Sequence, residues 1–369
     1  MPVGFFDIKE QNKPLEKEIN QAIEKVVASG RYILGQTVAD FEQAFAKYCG
    51  TKHAVGVASG TDALQLGLIA AGVQPGDEVI TSPFTFVASA EAIVYCGAKP
   101  VFVDIKADSF NLDISKVEQA ITKKTKVIMP IHLYGLACEM GPLMELANKH
   151  KLAVVEDCAQ AAGAEFNNKK VGSFGTAGAF SFFPTKNLGC FGDGGIITTN
   201  DDKIANELKV LRNHGSRSQY HHDLIGFNSR LDALQAAVLG VKLPHLDEYV
   251  AARRKNADNY HKNLSNLPGL TLPTEPPATK HTYNQFTLRA KNRNKLVEFL
   301  KSKNIGAMVY YPISLHLQKV FAYLGIKPGD LPQSELAQEQ VVSLPIFPEL
   351  SEKSQAEVIA AIKEFHKQS

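Results

Sequence analysis

The sequence predicts an α/β chain, with a large domain built on a mainly parallel sheet between helices and a smaller C-terminal α+β domain. Three observations lead there. Short apolar runs alternate with helical stretches over the first two-thirds of the chain, the pattern of parallel strands joined by crossovers. A length of 369 residues with 44% hydrophobic content suffices for two domains, or for one large domain with an appendage. Beyond residue 246 the pattern changes, and Leu264 to Lys280 is a loop rich in Pro and Thr.

Leu15, Ile19, Ala22, Ile23, Val26 and Val27 recur at helical spacing, as do Val38, Phe41, Phe45 and Tyr48. Strand candidates follow at His53 to Val57, Glu78 to Thr81, Pro100 to Val103, Lys126 to Ile131, Leu152 to Val155, Ala179 to Phe183 and Gly195 to Thr199. Helical stretches or long connections separate most of them, so the sheet is expected to be covered on both faces. A helix through Leu231 to Leu246 closes the large domain, residues 1–246. In the small domain, residues 247–369, strands are expected at Tyr283 to Ala290 and Ala307 to Tyr311. Its helices are expected at Arg293 to Lys303, Gln333 to Val342 and Ser354 to Lys367. Residues 1–12 are a candidate for packing on the small domain.

Composition narrows the function. Lys+Arg 40 against Asp+Glu 38 leaves a net charge of +2, so no global field attracts nucleic acid or an anionic membrane, and neither is expected as a partner. The cysteines Cys49, Cys96, Cys138, Cys158 and Cys190 form no C-x-x-C pair and fit reduced thiols in a cytoplasm. MPVGFFDIKEQ has no basic region followed by an apolar stretch, and no apolar run approaches the ~20 residues of a membrane helix. A cytoplasmic location is expected. His132, His214, His221, His222 and His316 form neither H-x-x-x-H nor H-E-x-x-H, so no metal site is expected.

Chemistry concentrates in three segments. Lys186 lies in SFFPTKNLGCFGDGG, Ser181 to Gly195, behind aromatic and small residues and ahead of glycines. An amine on a long stem reaches into a pocket, where partial desolvation lowers its pKa toward the nucleophilic range. A lysine taken alone is more often a solvated surface charge. AVVEDCAQAAG, Ala153 to Gly163, reads as a buried strand ending in Glu156 and Asp157, at the carboxyl end where open α/β sheets bind ligands. A carboxylate there either keeps a pyridinium nitrogen protonated or caps the next helix. VASGTDALQLGLIAAG, Val57 to Gly72, outlines a phosphate cradle: Gly60 lets the backbone approach and a helix N-terminus offers free N–H groups. Ser-Gly-Thr turns also cap ordinary helices.

In this order the three segments resemble the fold-type-I pyridoxal phosphate (PLP) enzymes, and more closely the nucleotide-sugar aminotransferases of the DegT/DnrJ/StrS family. The resemblance covers nearly the whole chain. It includes FFDIKEQ (Phe5 to Gln11), SGRYILGQTVADFE (Ser29 to Glu42), PGDEVITSPFTFVASAEAI (Pro75 to Ile93), IHLYG (Ile131 to Gly135), GFNSRLDALQAAVL (Gly226 to Leu239), VYYPISLHLQ (Val309 to Gln318) and SLPIFPEL (Ser343 to Leu350). The S-x-x-P-x-K stretch ending at Lys186 is the most specific match.

The resemblance implies PLP as cofactor, with pyridoxamine phosphate as its intermediate form. Lys186 is implied to bind the cofactor covalently and to move protons, Asp157 to face the pyridine nitrogen, and Gln160 to bond the phenolic oxygen. Gly60, Thr61 and Ser181 are implied to hold the phosphate and Phe86 to stack on the ring. Read without the resemblance, Gln160 is a solvated residue of a first helical turn and Phe86 is as readily plain core. Asn228 is implied to reach the phosphate of a neighbouring subunit, which makes a homodimer with shared active sites the smallest functional unit. Arg230 either orders that loop or pairs with a substrate charge, a surface salt bridge being its default reading.

The stretch Asn213 to Asp232 is polar and flexible, with basic residues at Arg217 and at Arg212 just before it. Arg217, His221 and His222 either donate to the pyrophosphate of a nucleotide sugar or stay solvated. Tyr310, Tyr311 and His316 suit a sugar or a base, or belong to the core. The implied reaction moves the amino group of L-glutamate to a keto group of a UDP- or dTDP-linked sugar in bacterial surface-polysaccharide synthesis, such as that of lipopolysaccharide O-antigen. YHHDLIGFNSRLD and VYYPISLHLQ most resemble the branch acting on 3-keto sugars, including UDP-linked 3-ketouronic acids. A 4-keto sugar is the close alternative. A PLP-dependent sugar dehydratase would carry His in place of Lys186. A non-catalytic regulatory protein that retains PLP is the other rival, and Lys186, Asp157 and Gln160 together speak against it.

Overall fold

Seven short strands form the floor of the molecule: β1 His53–Val57, β2 Glu78–Thr81, β3 Lys99–Phe102, β4 Thr125–Ile128, β5 Ala153–Asp157, β6 Ala177–Ser181 and β7 Gly195–Thr199. The computed structural model describes residues 2–218 and 220–368; Met1, Ser369, and Gln219 within the basic stretch lie outside the described residues. The sheet order is β1-β7-β6-β5-β4-β2-β3. Strands β2 to β6 run parallel, while β7 runs antiparallel to both β6 and β1. The parallel strands therefore present their carboxyl ends at one edge, where Asp157 and Ser181 sit as the last residues of β5 and β6.

Both faces of the sheet are covered, as strands this apolar require. Phe180 and Ile196 belong to one buried cluster with Phe41, Phe45 and Leu239; Ala179 and Ile197 belong to another with Leu64, Leu68 and Val155. That division follows from the two-residue alternation of a strand. The covering helices include α1 Glu16–Ser29, α2 Gln36–Cys49, α3 Gly60–Ala70, α4 Ala88–Tyr95 and α5 Ala233–Lys242. Gly30 and Gly50 end α1 and α2 at φ of 64° and 71°, the left-handed cap that glycine adopts without a Cβ penalty.

Helix α6, Leu246–Leu264, leads to a second, three-stranded sheet ordered β8-β9-β10, with β8 Leu270–Thr271, β9 Phe286–Ala290 and β10 Val341–Leu344. Helices α7 Arg293–Ser302, α8 Pro332–Gln340 and α9 Glu352–Gln368 accompany it. Tyr260, Phe286, Leu296, Val342 and Ile362 form its core, which Val3 joins through a bridge to Ile305.

Three expectations need correction. The helix through Leu231 to Leu246 is interrupted by a 3-10 turn at Leu243–His245, because Pro244 has no N–H to continue the ladder. Ala307 to Tyr311 is not a strand: Met308 makes a single bridge to Ser343 and the chain then turns into the site. The partner strand is instead β10, which takes Val341 and Val342 from the helix expected at Gln333 to Val342; its Val-Val-Ser-Leu run is buried at every position, which suits β-branched residues in a sheet.

Candidate active site

Asp157 is 4% exposed, and burial raises its pKa above the usual carboxylate value. Its Oδ2 accepts from Ser89 Oγ at 2.7 Å and its Oδ1 from the Ala159 N–H at 3.1 Å. Those two bonds, with the charges of Lys186 and His132, oppose the shift. The backbone is equally fixed, since the Asp157 N–H donates to the Pro130 carbonyl at 2.9 Å and the Asp157 carbonyl accepts from His132 at 3.0 Å. Asp157 thus caps its own following turn and also lines a cavity.

Lys186 enters that cavity from the turn after β6. Its N–H donates to the Phe183 carbonyl at 2.9 Å, and a Cβ at Gly189 would stand 2.4 Å from the Pro184 carbonyl oxygen, so the turn closes only around a glycine. Burial pulls the Lys186 amine down from 10.5 to about 8, while the charge of Asp157 pushes it up; desolvation is the larger effect. Beneath the turn, the buried Lys242 of α5 donates to the Gly189 carbonyl at 2.8 Å.

The cradle forms where α3 begins. Ser59 caps the helix by accepting from the Asp62 N–H at 3.1 Å, leaving the N–H groups of the first turn, at Gly60 and Thr61, at the positive end of the helix dipole. A Cβ at Gly60 would lie 2.5 Å from Ser181 Cβ. Gly60 therefore lets the helix end meet the end of β6, which brings the Ser181 hydroxyl beside the same N–H groups.

Gln160 is held by both ends of its amide: Oε1 accepts from the Tyr134 N–H at 2.7 Å and Nε2 donates to Tyr311 Oη at 3.0 Å. The first bond fixes which end is nitrogen, and one Nε2 hydrogen stays available. Phe86 is 58% exposed and its ring lies 6.4 Å from that of Tyr311, so it is a cavity wall and not core. Asp157, Lys186, Gly60, Thr61, Ser181, Gln160, Phe86 and Tyr311 all line one cavity of about 480 Å³.

Tyr310 lines it as well, whereas the remaining expected residues do not. Arg217 pairs with Asp223 at 2.6 Å in an exposed hairpin with His221 and His222, and the latter's Nδ1 bonds the His214 carbonyl at 2.9 Å. Asn228 is exposed, and Arg230 donates to Asn213 at 3.2 Å. His316 was expected at the pocket but is enclosed elsewhere, its ring between Ser314 Oγ at 3.0 Å and Glu335 at 3.2 Å. Arg212, read as part of a basic loop, is a buried partner of Glu42 and the Gly56 carbonyl.

Sequence reasoning missed several walls. Ser89 and Thr85 line the cavity behind Asp157, and nothing local marks them because their partner lies far along the chain. Gln285 also lines it, buried and with Oε1 free of any partner. His132, Glu156 and Cys158 gather their polar atoms within 4.8 Å beneath the site. Glu156 there accepts from the N–H groups of Gly172, Phe174 and Gly175 and from His132, whose Nδ1 accepts from Cys138, so hydrogen bonds within the chain already use the carboxylate and the imidazole.

A carboxylate for a pyridinium, a lowered amine, an anion cradle and a stacking ring are the donor set that PLP requires. Comparison with known proteins agrees. Over its full length the chain is 49% identical to the pleiotropic regulatory protein of Geobacillus stearothermophilus, covering 99% of that protein. Over 98% of its length it is 46% identical to the UDP-N-acetyl-3-dehydro-alpha-D-glucosamine 3-aminotransferase of Acidithiobacillus ferrooxidans, covering 97% of that protein. The crystal structure of Streptomyces venezuelae DesV in complex with a ketimine intermediate superposes with a TM-score of 0.98 at 44% identity, over 100% of this chain and 99% of that one. The model of the DegT/DnrJ/EryC1/StrS aminotransferase family matches residues 13–363, and this chain belongs to that family of PLP-dependent sugar aminotransferases.

Proposed function

We propose that the chain transfers the amino group of L-glutamate to the 3-keto group of a UDP- or dTDP-linked sugar. The observation that carries the reading is the convergence of Lys186 and Asp157 on one cavity, with the lysine amine lowered to about 8. PLP, when bound, supplies the electron sink for the substrate carbon. The chain supplies the rest. Asp157 would hold the pyridine nitrogen, Phe86 the ring face, Gln160 the phenolic oxygen, and Gly60, Thr61 and Ser181 the phosphate. Lys186 Nζ takes a proton from one carbon and returns it to another.

A nucleotide sugar brings a pyrophosphate, and among the described residues lining the cavity Lys186 is the only cationic side chain. The cations that meet that pyrophosphate therefore come from outside the cavity. Arg217, His221, His222 and Arg230 on the exposed segment are suited to it if a second copy of the chain brings them across, as a homodimer with shared sites would. The 3-keto position is supported by the Acidithiobacillus relative. The relative with a regulatory name favours a second reading, a PLP-binding regulator without turnover.

A panel of UDP- and dTDP-linked 3-keto and 4-keto sugars, assayed with L-glutamate and product analysis, tests the proposal. We expect 2-oxoglutarate and a 3-amino sugar. Amination of 4-keto sugars alone would move the reaction to that carbon, and cofactor absorbance unchanged by glutamate would select the regulator.

A further inference from the structure

We propose that Ser89 and, behind it, Thr85 are positioning residues that hold Asp157 ionised and aimed at the cofactor's pyridine nitrogen. The inference rests on the assignment of Asp157 to that nitrogen. Ser89 is 2% exposed and its Oγ lies 2.7 Å from Asp157 Oδ2; Thr85, 3% exposed, has its Oγ1 3.0 Å from Ser89 Oγ. The direction of this row is fixed by chemistry. An ionised carboxylate only accepts, so the single hydroxyl proton of Ser89 goes to Asp157. Ser89 oxygen is then left to accept, and the Thr85 proton points at it. Two O–H dipoles thus stand in line with their positive ends toward Asp157, each reinforcing the other. Protonating Asp157 at Oδ2 would oblige both to turn round.

The sequence places the row economically. Thr85 and Ser89 are four residues apart at the entry to α4, the Ser89 N–H donates to the Phe86 carbonyl at 3.2 Å, and Phe86 between them is the cavity wall. One turn therefore supplies both the ring contact and the support of the carboxylate. The other groups facing Asp157 are Lys186 from the turn after β6, His132 from the loop after β4, and the Tyr311 hydroxyl. None of these three donates a hydrogen bond to the carboxylate, whereas Ser89 does. Because burial works against the charge, the hydroxyl row at Oδ2 supports it together with the Ala159 N–H at Oδ1.

The test uses purified holoenzyme carrying Ser89→Ala, Thr85→Val, Thr85→Ser or Asp157→Asn. Three quantities are read: the pH dependence of the glutamate half-reaction, the pH titration of the bound cofactor's absorbance, and KM for glutamate. A hydrogen bond to the charged form lowers a carboxylate's pKa, so its loss raises it, and the acid limb moves to higher pH. We expect a shift of about one pH unit, tenfold in the protonation equilibrium, for Ser89→Ala. Thr85→Val should shift it less, Thr85→Ser should return it to the wild-type position, and KM should stay within about twofold. Limbs that do not move, with Asp157→Asn nearly dead, would overturn the relay alone. Wild-type rates from Asp157→Asn would overturn the pyridine assignment and the relay with it. Should Ser89→Ala fail to fold, the Thr85→Val and Thr85→Ser pair decides.

Discussion

We propose that Lys186 carries the reaction, because its surroundings change how much of it is neutral. At pH 7 an amine of pKa 10.5 is neutral in roughly three molecules per ten thousand, and one lowered to about 8 in roughly one per ten. Lys186→Ala should therefore abolish turnover, by at least about a thousandfold. The fold should persist, since at pH 7 the mutation removes an amine that burial holds against its charge. Turnover and thermal melt of the purified variant check this; wild-type activity would remove Lys186 from the mechanism. Lys186 and Asp157 were legible because their signals are local: an apolar strand ending in acids, and a lysine between aromatics and glycines. Ser89 was not, because its importance lies in a bond to a residue 68 positions away. His316 shows the converse, a polar residue in a matching motif whose ring is used up by Ser314 and Glu335.

Elements position the cradle, and Gly60 is where two of them touch. An alanine at the first turn of an exposed helix would normally stabilise it by up to ~1 kcal/mol. Here its Cβ would meet Ser181 Cβ at 2.5 Å and Ser181 Oγ at 3.0 Å, and since no rotamer change moves Cβ, α3 and β6 must separate. Gly60→Ala should remain folded and lose PLP affinity about tenfold or more, read by titrating cofactor into apo-protein. Unchanged affinity would mean that the helix end and Ser181 do not grip one group. The strands of the large sheet were readable from their apolar runs. The second sheet was less so, because Val341 to Leu344 follows α8 without a turn signal, and helical and strand patterns of so short an apolar run coincide. Ala307 to Tyr311 looked like a strand for the same reason.

At the scale of the molecule, we propose a division near residue 246, with α6 as the joint: Leu246 and Val250 pack in the core beside the large sheet, Ala257, Tyr260 and Leu264 in the other. The large body leaves an apolar surface beside the Asn228 segment. Tyr32 and Ile33 are 46% and 49% exposed, and they run next to Asp232 and Ala233 through the Ile33–Asp232 bridge and a bond from the Ala233 N–H to the Tyr32 carbonyl. Ser229 is turned inward, its Oγ bonded to Asp62 Oδ2 at 2.6 Å near the cradle of its own chain, while Asn228 faces out. An outward polar residue beside exposed aromatic and aliphatic surface is the arrangement expected of a group that serves a second copy of the chain. If Asn228 reaches the neighbour's phosphate, Asn228→Asp places a carboxylate against it, and the variant should be nearly inactive from like-charge repulsion as well as the lost donor. Co-expressed Lys186→Ala and Asn228→Asp chains then form heterodimers in which one site holds both lesions and the other neither. With equal expression half the dimers are mixed, so activity should return to about a quarter of wild type from two parents that have almost none. Co-expression is required because a tight dimer exchanges chains slowly. Demonstrated heterodimers without recovered activity would mean that each site is built from one chain, and that the exposed Asn228 serves no partner.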